Sequence, residues 1–139
     1  MSLRRVFAVL ATLIVAQPLF MPPTYGGERE SVTTVFEHDL PNAPGKKLVA
    51  LVVNYGPGGK SDAHTHAKSA FIYARVLSGE IKSKVNDEDE KVYKVGEQFF
   101  ELPGSSHKVS ENASETDPAS LLAVFIVEKE DEPLTSLEK

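Results

Sequence analysis

From Leu48 onward the apolar residues come in short runs rich in β-branched side chains, and glycine or proline ends nearly every run before a helix could form. Leu48–Val53 stops at Gly56-Pro57-Gly58-Gly59, and Ala70–Leu77 turns at Ser78-Gly79-Glu80 into Ile81–Val85. After the acidic turn Asn86–Glu90, Lys91–Val95 breaks at Gly96-Glu97, Gln98–Leu102 breaks at Pro103-Gly104, and His107–Ser110 follows. Ile81-Lys82-Ser83-Lys84-Val85 alternates apolar and polar residues, which gives a strand one dry and one wet face. Leu121–Val127 is apolar throughout and reads as the most buried strand. Many short strands joined by Gly/Pro turns predict an all-β sandwich or barrel.

The two ends read differently. Arg4 and Arg5, the apolar run Val6–Ala16, then Pro18, Pro22 and Pro23 follow the layout of a secretory signal peptide over residues 1–26. The apolar run is about half of what spans a bilayer, so the mature chain is expected to carry no stable membrane span. A retained N-terminal anchor is the alternative. Arg4-Arg5-Val6-Phe7 also loosely resembles a twin-arginine signal. The expected location is periplasmic or extracellular. A barrel domain is placed at 30–128, followed by a charged tail at 129–139, expected to be loose or to form one short helix.

Composition narrows the chemistry. The chain has 139 residues, a formal charge of −5 and no cysteine, so disulfides, thiolate metal sites and a cysteine nucleophile are all excluded. Without residues 1–26, 113 residues remain, with thirteen basic against twenty acidic side chains, a balance of −7. That argues against a nucleic-acid partner. Any metal site must therefore use carboxylates and the four histidines. No Gly-x-Ser-x-Gly elbow or phosphate-binding loop is present.

Three histidines lie beside turns. His64-Thr65-His66 follows the glycine-rich loop, and His107 follows Pro103-Gly104. Positions i and i+2 of a strand face the same side, so His64 and His66 would project together, with His107 joining them if its strand lies alongside. His-x-His alone is a weak sign. Its setting is more specific: Gly58-x5-His64-x-His66 with Gly79 after the next strand, then Gly96-x5-Leu102-x-Gly104-x2-His107. These two ordered segments resemble the paired signatures of the cupin superfamily, with Leu102 where the pattern usually has proline and Asn112 one position beyond the usual asparagine. The resemblance implies a single-domain double-stranded β-helix, a jelly-roll-like β-barrel holding a divalent metal (Fe, Mn, Ni, Co, Cu or Zn) between the motifs. It also implies a small-molecule ligand or substrate, and often a homodimer.

One departure stands out. Cupins usually place a glutamate shortly after the second histidine, but Ala67–Tyr73 contains no carboxylate. Glu101, which interrupts Phe99-Phe100-x-Leu102, is the candidate substitute. An exposed position on the outer face is the equal alternative, since strand parity through a bend is not readable. The expected metal ligands are thus His64, His66, His107 and Glu101, with Tyr73 and Glu101 as catalytic candidates. Phe71, Tyr73, Phe99 and Phe100 would wall a pocket or simply fill the core. Arg75 and His38 read as surface residues. Asn112-Ala113-Ser114 is a glycosylation sequon only in a secreted eukaryotic protein. Dioxygenase-type or isomerase chemistry follows from the resemblance. A non-enzymatic cupin that binds a small molecule or a metal is the alternative.

Overall fold

A computed structural model describes residues 29–138, and the segment read as a signal peptide lies outside the described residues. Two antiparallel sheets carry the fold. In the first, β1 (Glu30–Asp39) pairs with β2 (Lys46–Tyr55), β2 with β10 (Ala119–Glu128), β10 with β5 (Phe71–Ser78), and β5 with β8 (Gln98–Glu101). In the second, β11 (Thr135–Leu137), β4 (His64–His66), β9 (Ser106–Asn112), β6 (Glu80–Val85) and β7 (Lys91–Lys94) lie side by side, and β3 (Lys60–Ser61) also pairs with β9. The expected all-β, jelly-roll-like barrel is the observed architecture.

Period-two alternation decides what enters the core. Val49 and Tyr55 of β2, Ile72 and Val76 of β5, Phe125 and Val127 of β10, and Ile81 of β6 are the largest fully buried side chains. Each full burial of such a side chain contributes about 1.5–3 kcal/mol. Strand β10 sits at the centre of its sheet but is not sheathed on both sides. Leu121, Ala123 and Phe125 point inward and are buried, whereas Leu122 and Val124 are half-buried and Ile126 is exposed on the outer face. Its unbroken apolar sequence reflects two apolar faces, only one of which the barrel covers.

The motif positions have structural reasons. Gly79 joins β5 to β6 at φ +66°, and a Cβ there would lie 2.7 Å from both the Pro118 carbonyl oxygen and the Ala119 Cβ. Asn112, 4% exposed, donates through Nδ2 to the carbonyls of Gly56 and Asp117 and accepts the Ser114 amide, tying the glycine-rich loop to the 113–118 loop. With its amide engaged in this way, Asn112 does not present a glycosylation site.

The tail differs from the expectation of a loose or helical end. Thr135, Ser136 and Leu137 form β11, opposite His66, Thr65 and His64 respectively. Asp131 accepts the Ser69 amide at 2.8 Å, and Glu132 meets Lys47 at 2.6 Å, holding the tail against the barrel.

Candidate metal centre

Strand β4 has only three residues, so His64 and His66 project to the same side, and β9 places His107 directly opposite His64. One nitrogen from each of the three imidazoles lies within 4.8 Å of the others. Glu101 enters from the facing sheet. On β8, Phe99 and Glu101 point inward and Gln98 and Phe100 outward, which settles the parity left open by the sequence. Glu101 is 2% exposed; its Oε1 lies 3.1 Å from His107 Nδ1 and its Oε2 3.5 Å from His66 Nε2. Oε2 has no hydrogen-bond partner among the described residues. The register partner of Glu101 on β5 is Ile72, so the carboxylate reaches the histidines from the strand next to the one that follows the His-x-His segment.

Each ring is oriented by a different element. His64 Nδ1 meets the Asp62 carbonyl at 2.6 Å, which places the proton on Nδ1 and leaves Nε2 with a lone pair. His66 Nδ1 lies 3.3 Å from the Thr135 hydroxyl on β11, and His107 Nε2 lies 2.8 Å from the buried Ser83 hydroxyl on β6. Phe125 packs edge-on against His66 and Phe99 against His107. Partners of this kind fix ring orientation and raise ligand basicity.

The electrostatics suit a cation. Burial lowers the His64 pKa to about 4, against the opposing bond to Asp62, so this ring is neutral near pH 7. Burial alone would raise the Glu101 carboxyl, but the His107 hydrogen bond and the nearby His66 ring outweigh it and hold the group well below the usual carboxylate range. A buried carboxylate with one unsatisfied oxygen is costly unless a cation sits beside it. Three imidazole nitrogens and one carboxylate oxygen form a donor set for a divalent transition metal. The three imidazoles fit such an ion and would hold it, with the Glu101 carboxylate beside two of them.

The cluster opens into a cavity of about 600 Å³ lined largely by apolar side chains, among them Leu51, Ile72, Phe99, Leu121 and Phe125. Away from the histidines the Tyr55 hydroxyl bonds Ser61 at 2.6 Å and Ser110 at 2.8 Å, and burial pushes its pKa up to about 12. Pro133, Leu134 and Thr135 of the tail form part of the wall.

Tyr73 requires a correction. It shares the outward parity of Phe71 and Arg75 on β5, opposite Phe100, and so lies on the outside of the sheet with no access to the cavity. Phe71 and Phe100 likewise stack on each other outside the barrel, and Phe99 alone of the four aromatics reaches the site. Arg75 and His38 are exposed, as expected. Ser83 and Thr135 were not read from the sequence. Ser83 carried a signal, a small polar residue on the Ile81–Val85 face that otherwise faces the core, whereas nothing in Thr135-Ser136-Leu137 marked it.

Two facing sheets enclose a three-histidine cluster with a buried carboxylate beside it, the architecture of a small β-barrel protein. The family model for the cupin domain matches residues 51–125, more than half of the chain, and the chain belongs to that family. Among curated proteins none matches. Among solved structures, a conserved double-stranded β-helix protein from Klebsiella pneumoniae is similar at TM-score 0.62 and 18% identity, over 86% of this chain and 91% of that one. An oxalate oxidase in complex with the substrate analogue glycolate is similar at TM-score 0.61 and 21% identity, over 81% of this chain and 59% of its own. The DMSP lyase DddQ from Ruegeria pomeroyi is similar at TM-score 0.60 and 20% identity, over 78% and 51%. This chain thus spans about three fifths of the oxidase and half of the lyase. At these identities the likeness shows the fold.

Proposed function

We propose that the chain is an exported cupin that holds a divalent transition metal through His64, His66, His107 and Glu101 and receives a small oxygen-bearing molecule in its cavity. The observation that carries this reading is Glu101, a carboxylate 2% exposed, aimed at the His66 and His107 imidazoles of a three-histidine cluster, with one oxygen unsatisfied. Bound there, an ion of this kind supplies Lewis-acid polarisation or a site for oxygen chemistry. The chain's own part is to orient the rings through Asp62, Ser83 and Thr135 and to keep water out with Phe99 and Phe125. Dioxygenase-type or isomerase chemistry is the enzymatic form of the proposal. Two structural neighbours are enzymes by name, an oxidase and a lyase, which supports it. The second reading, a non-enzymatic binder of a small molecule or metal, is favoured by the Tyr55 hydroxyl. It is engaged by two serines, and with Tyr73 outside the barrel no other tyrosine among the described residues lines the cavity. Export rests on the order of residues in segment 1–26.

Metal analysis of protein purified from its natural compartment tests the site. About one ion per chain is expected, with loss in the His64→Ala/His107→Ala double variant and weakened retention in Glu101→Gln. Metal-free wild type, or full retention in the double variant, rejects the proposal. Conversion of a bound small molecule selects the enzyme; a rise in melting temperature without conversion selects the binder.

A further inference from the structure

A second polar group lies in the cavity, away from the histidines. Strand pairing sets Glu30 opposite Tyr55 and Ser61 opposite Ser110, and all four residues line the cavity. The Ser61 hydroxyl donates to the Glu30 carboxylate, and the Tyr55 hydroxyl lies 2.6 Å from Ser61 and 2.8 Å from Ser110. A hydroxyl has one proton to give. Ser61 has given its own to Glu30, so it accepts from Tyr55, and Tyr55 in turn accepts from Ser110. Burial pushes the Tyr55 pKa up to about 12, so this link keeps its proton at neutral pH. Tyr55 is 2% and Ser110 5% exposed, which leaves the order of the chain to the protein rather than to solvent. Every proton runs toward Glu30, and what the chain still offers a ligand is lone pairs.

The charge of the lining agrees. Glu30, Asp62, Glu101 and Glu132 line the cavity, and among the described residues no lysine or arginine does. Glu132 is paired with Lys47, and Arg29, beside Glu30 in sequence, is exposed and donates to the Pro57 carbonyl. Outside the histidine cluster the cavity thus offers an anionic ligand group no cationic side chain. A cationic group instead finds acceptors and negative charge at Glu30.

We propose that Glu30, Tyr55, Ser61 and Ser110 form a recognition site for the ammonium group of a short-chain amino acid whose amine stands apart from its oxygen-bearing end. The inference rests on the metal-binding reading above and names a substrate class for it. Distance permits one molecule to serve both sites. His107 and Ser110 share β9 three residues apart, a span of about 10 Å. The irregular pairing of β9 with β6 at Lys84/Val85 lets both side chains be buried, where strict alternation would turn one outward. Leu51, Leu121 and Phe125 supply apolar wall for an aliphatic chain. An ammonium has three donors and no acceptor, the complement of what the hydroxyl chain presents. A second carboxylate in that position would meet only lone pairs and like charge.

Calorimetric titration of the zinc-loaded full chain with 4-aminobutyrate, butyrate and succinate tests the proposal. 4-Aminobutyrate is expected to bind at least about 10-fold more tightly than butyrate, and succinate no more tightly than butyrate. Glu30→Gln places a donor at the end of the chain, and Ser61→Ala releases the Tyr55 proton into the cavity. Each should cut the preference for 4-aminobutyrate to below about 3-fold. The zinc-induced rise in melting temperature should persist in both, which separates lost recognition from a lost fold. A chain that takes up no zinc overturns the metal reading and this inference with it. A zinc-loaded chain that binds the three acids alike, binds none of them or prefers succinate overturns the inference alone. So does a preference for 4-aminobutyrate that survives in either variant.

Discussion

Glu101 shows what a single residue can and cannot disclose. In sequence it is a carboxylate among phenylalanines, equally consistent with an outward position and with a ligand. Pairing with Ile72 fixes its parity, and its burial at 2% beside His66 and His107 is what the proposed ligand role would account for. The three histidines were legible because their spacing is local; the carboxylate was not, because its direction depends on a bend between strands. His64 offers a test at the same scale. Its folded pKa of about 4 lies below the value of 6.5 that it has in the unfolded chain. Between those values the unfolded chain takes up a proton that the folded chain refuses. The corresponding stability is fully present above pH 6.5 and is lost as pH falls toward 4, by at most about 3 kcal/mol. Glu101, also held low, extends the loss in the same direction below the carboxylate range. Urea denaturation of the metal-free protein at pH 7.5 and at pH 4.5 should show the drop, and His64→Gln should shrink it. Equal pH sensitivity of wild type and variant would remove His64 as its source.

At the level of elements, the strands bounded by glycine and proline were readable because turn chemistry is written locally. Three strands were not, and one of them, β3, is only two residues long. Strand β1 carries Ser31, Thr33 and Thr34 among its apolar residues, lies at the sheet edge and is broken by a bulge at Thr34/Phe36, so no alternation announces it. Strand β11 is three residues long and exists because β4 offers it an edge, a tertiary cause with no local signature. Gly79 is the reverse case, a position whose identity the turn dictates. Its left-handed φ strains any side chain, and a Cβ would collide with backbone at Pro118 and with Ala119. Gly79→Ala should therefore cost about 2–4 kcal/mol, summing backbone strain and overpacking. Chemical denaturation measures it directly, and a loss below about 0.5 kcal/mol, the range of an indifferent surface change, would show that the hairpin shifts freely.

Across the whole molecule, the site joins parts that would otherwise be coupled only by core packing. His64, His66 and His107 belong to one sheet and Glu101 to the other, so an ion held by all four links the two halves of the barrel. The tail adds Thr135 behind His66, which ties the end of the described chain to the same point. Binding to the folded state alone stabilises it by RT ln(1 + [L]/Kd), about 2.7 kcal/mol with free metal at 100 times Kd. For a domain of this size that corresponds to roughly 10 °C in melting temperature. Zinc serves as a probe that brings no redox chemistry of its own. Wild type should melt about 10 °C higher with zinc than with a chelator. At the same zinc concentration Glu101→Gln should gain markedly less, since its three imidazoles bind from one sheet only. A melting temperature indifferent to zinc would separate the cluster from metal binding. An equal gain in Glu101→Gln would leave the histidines as the site and remove the carboxylate as the link between the sheets.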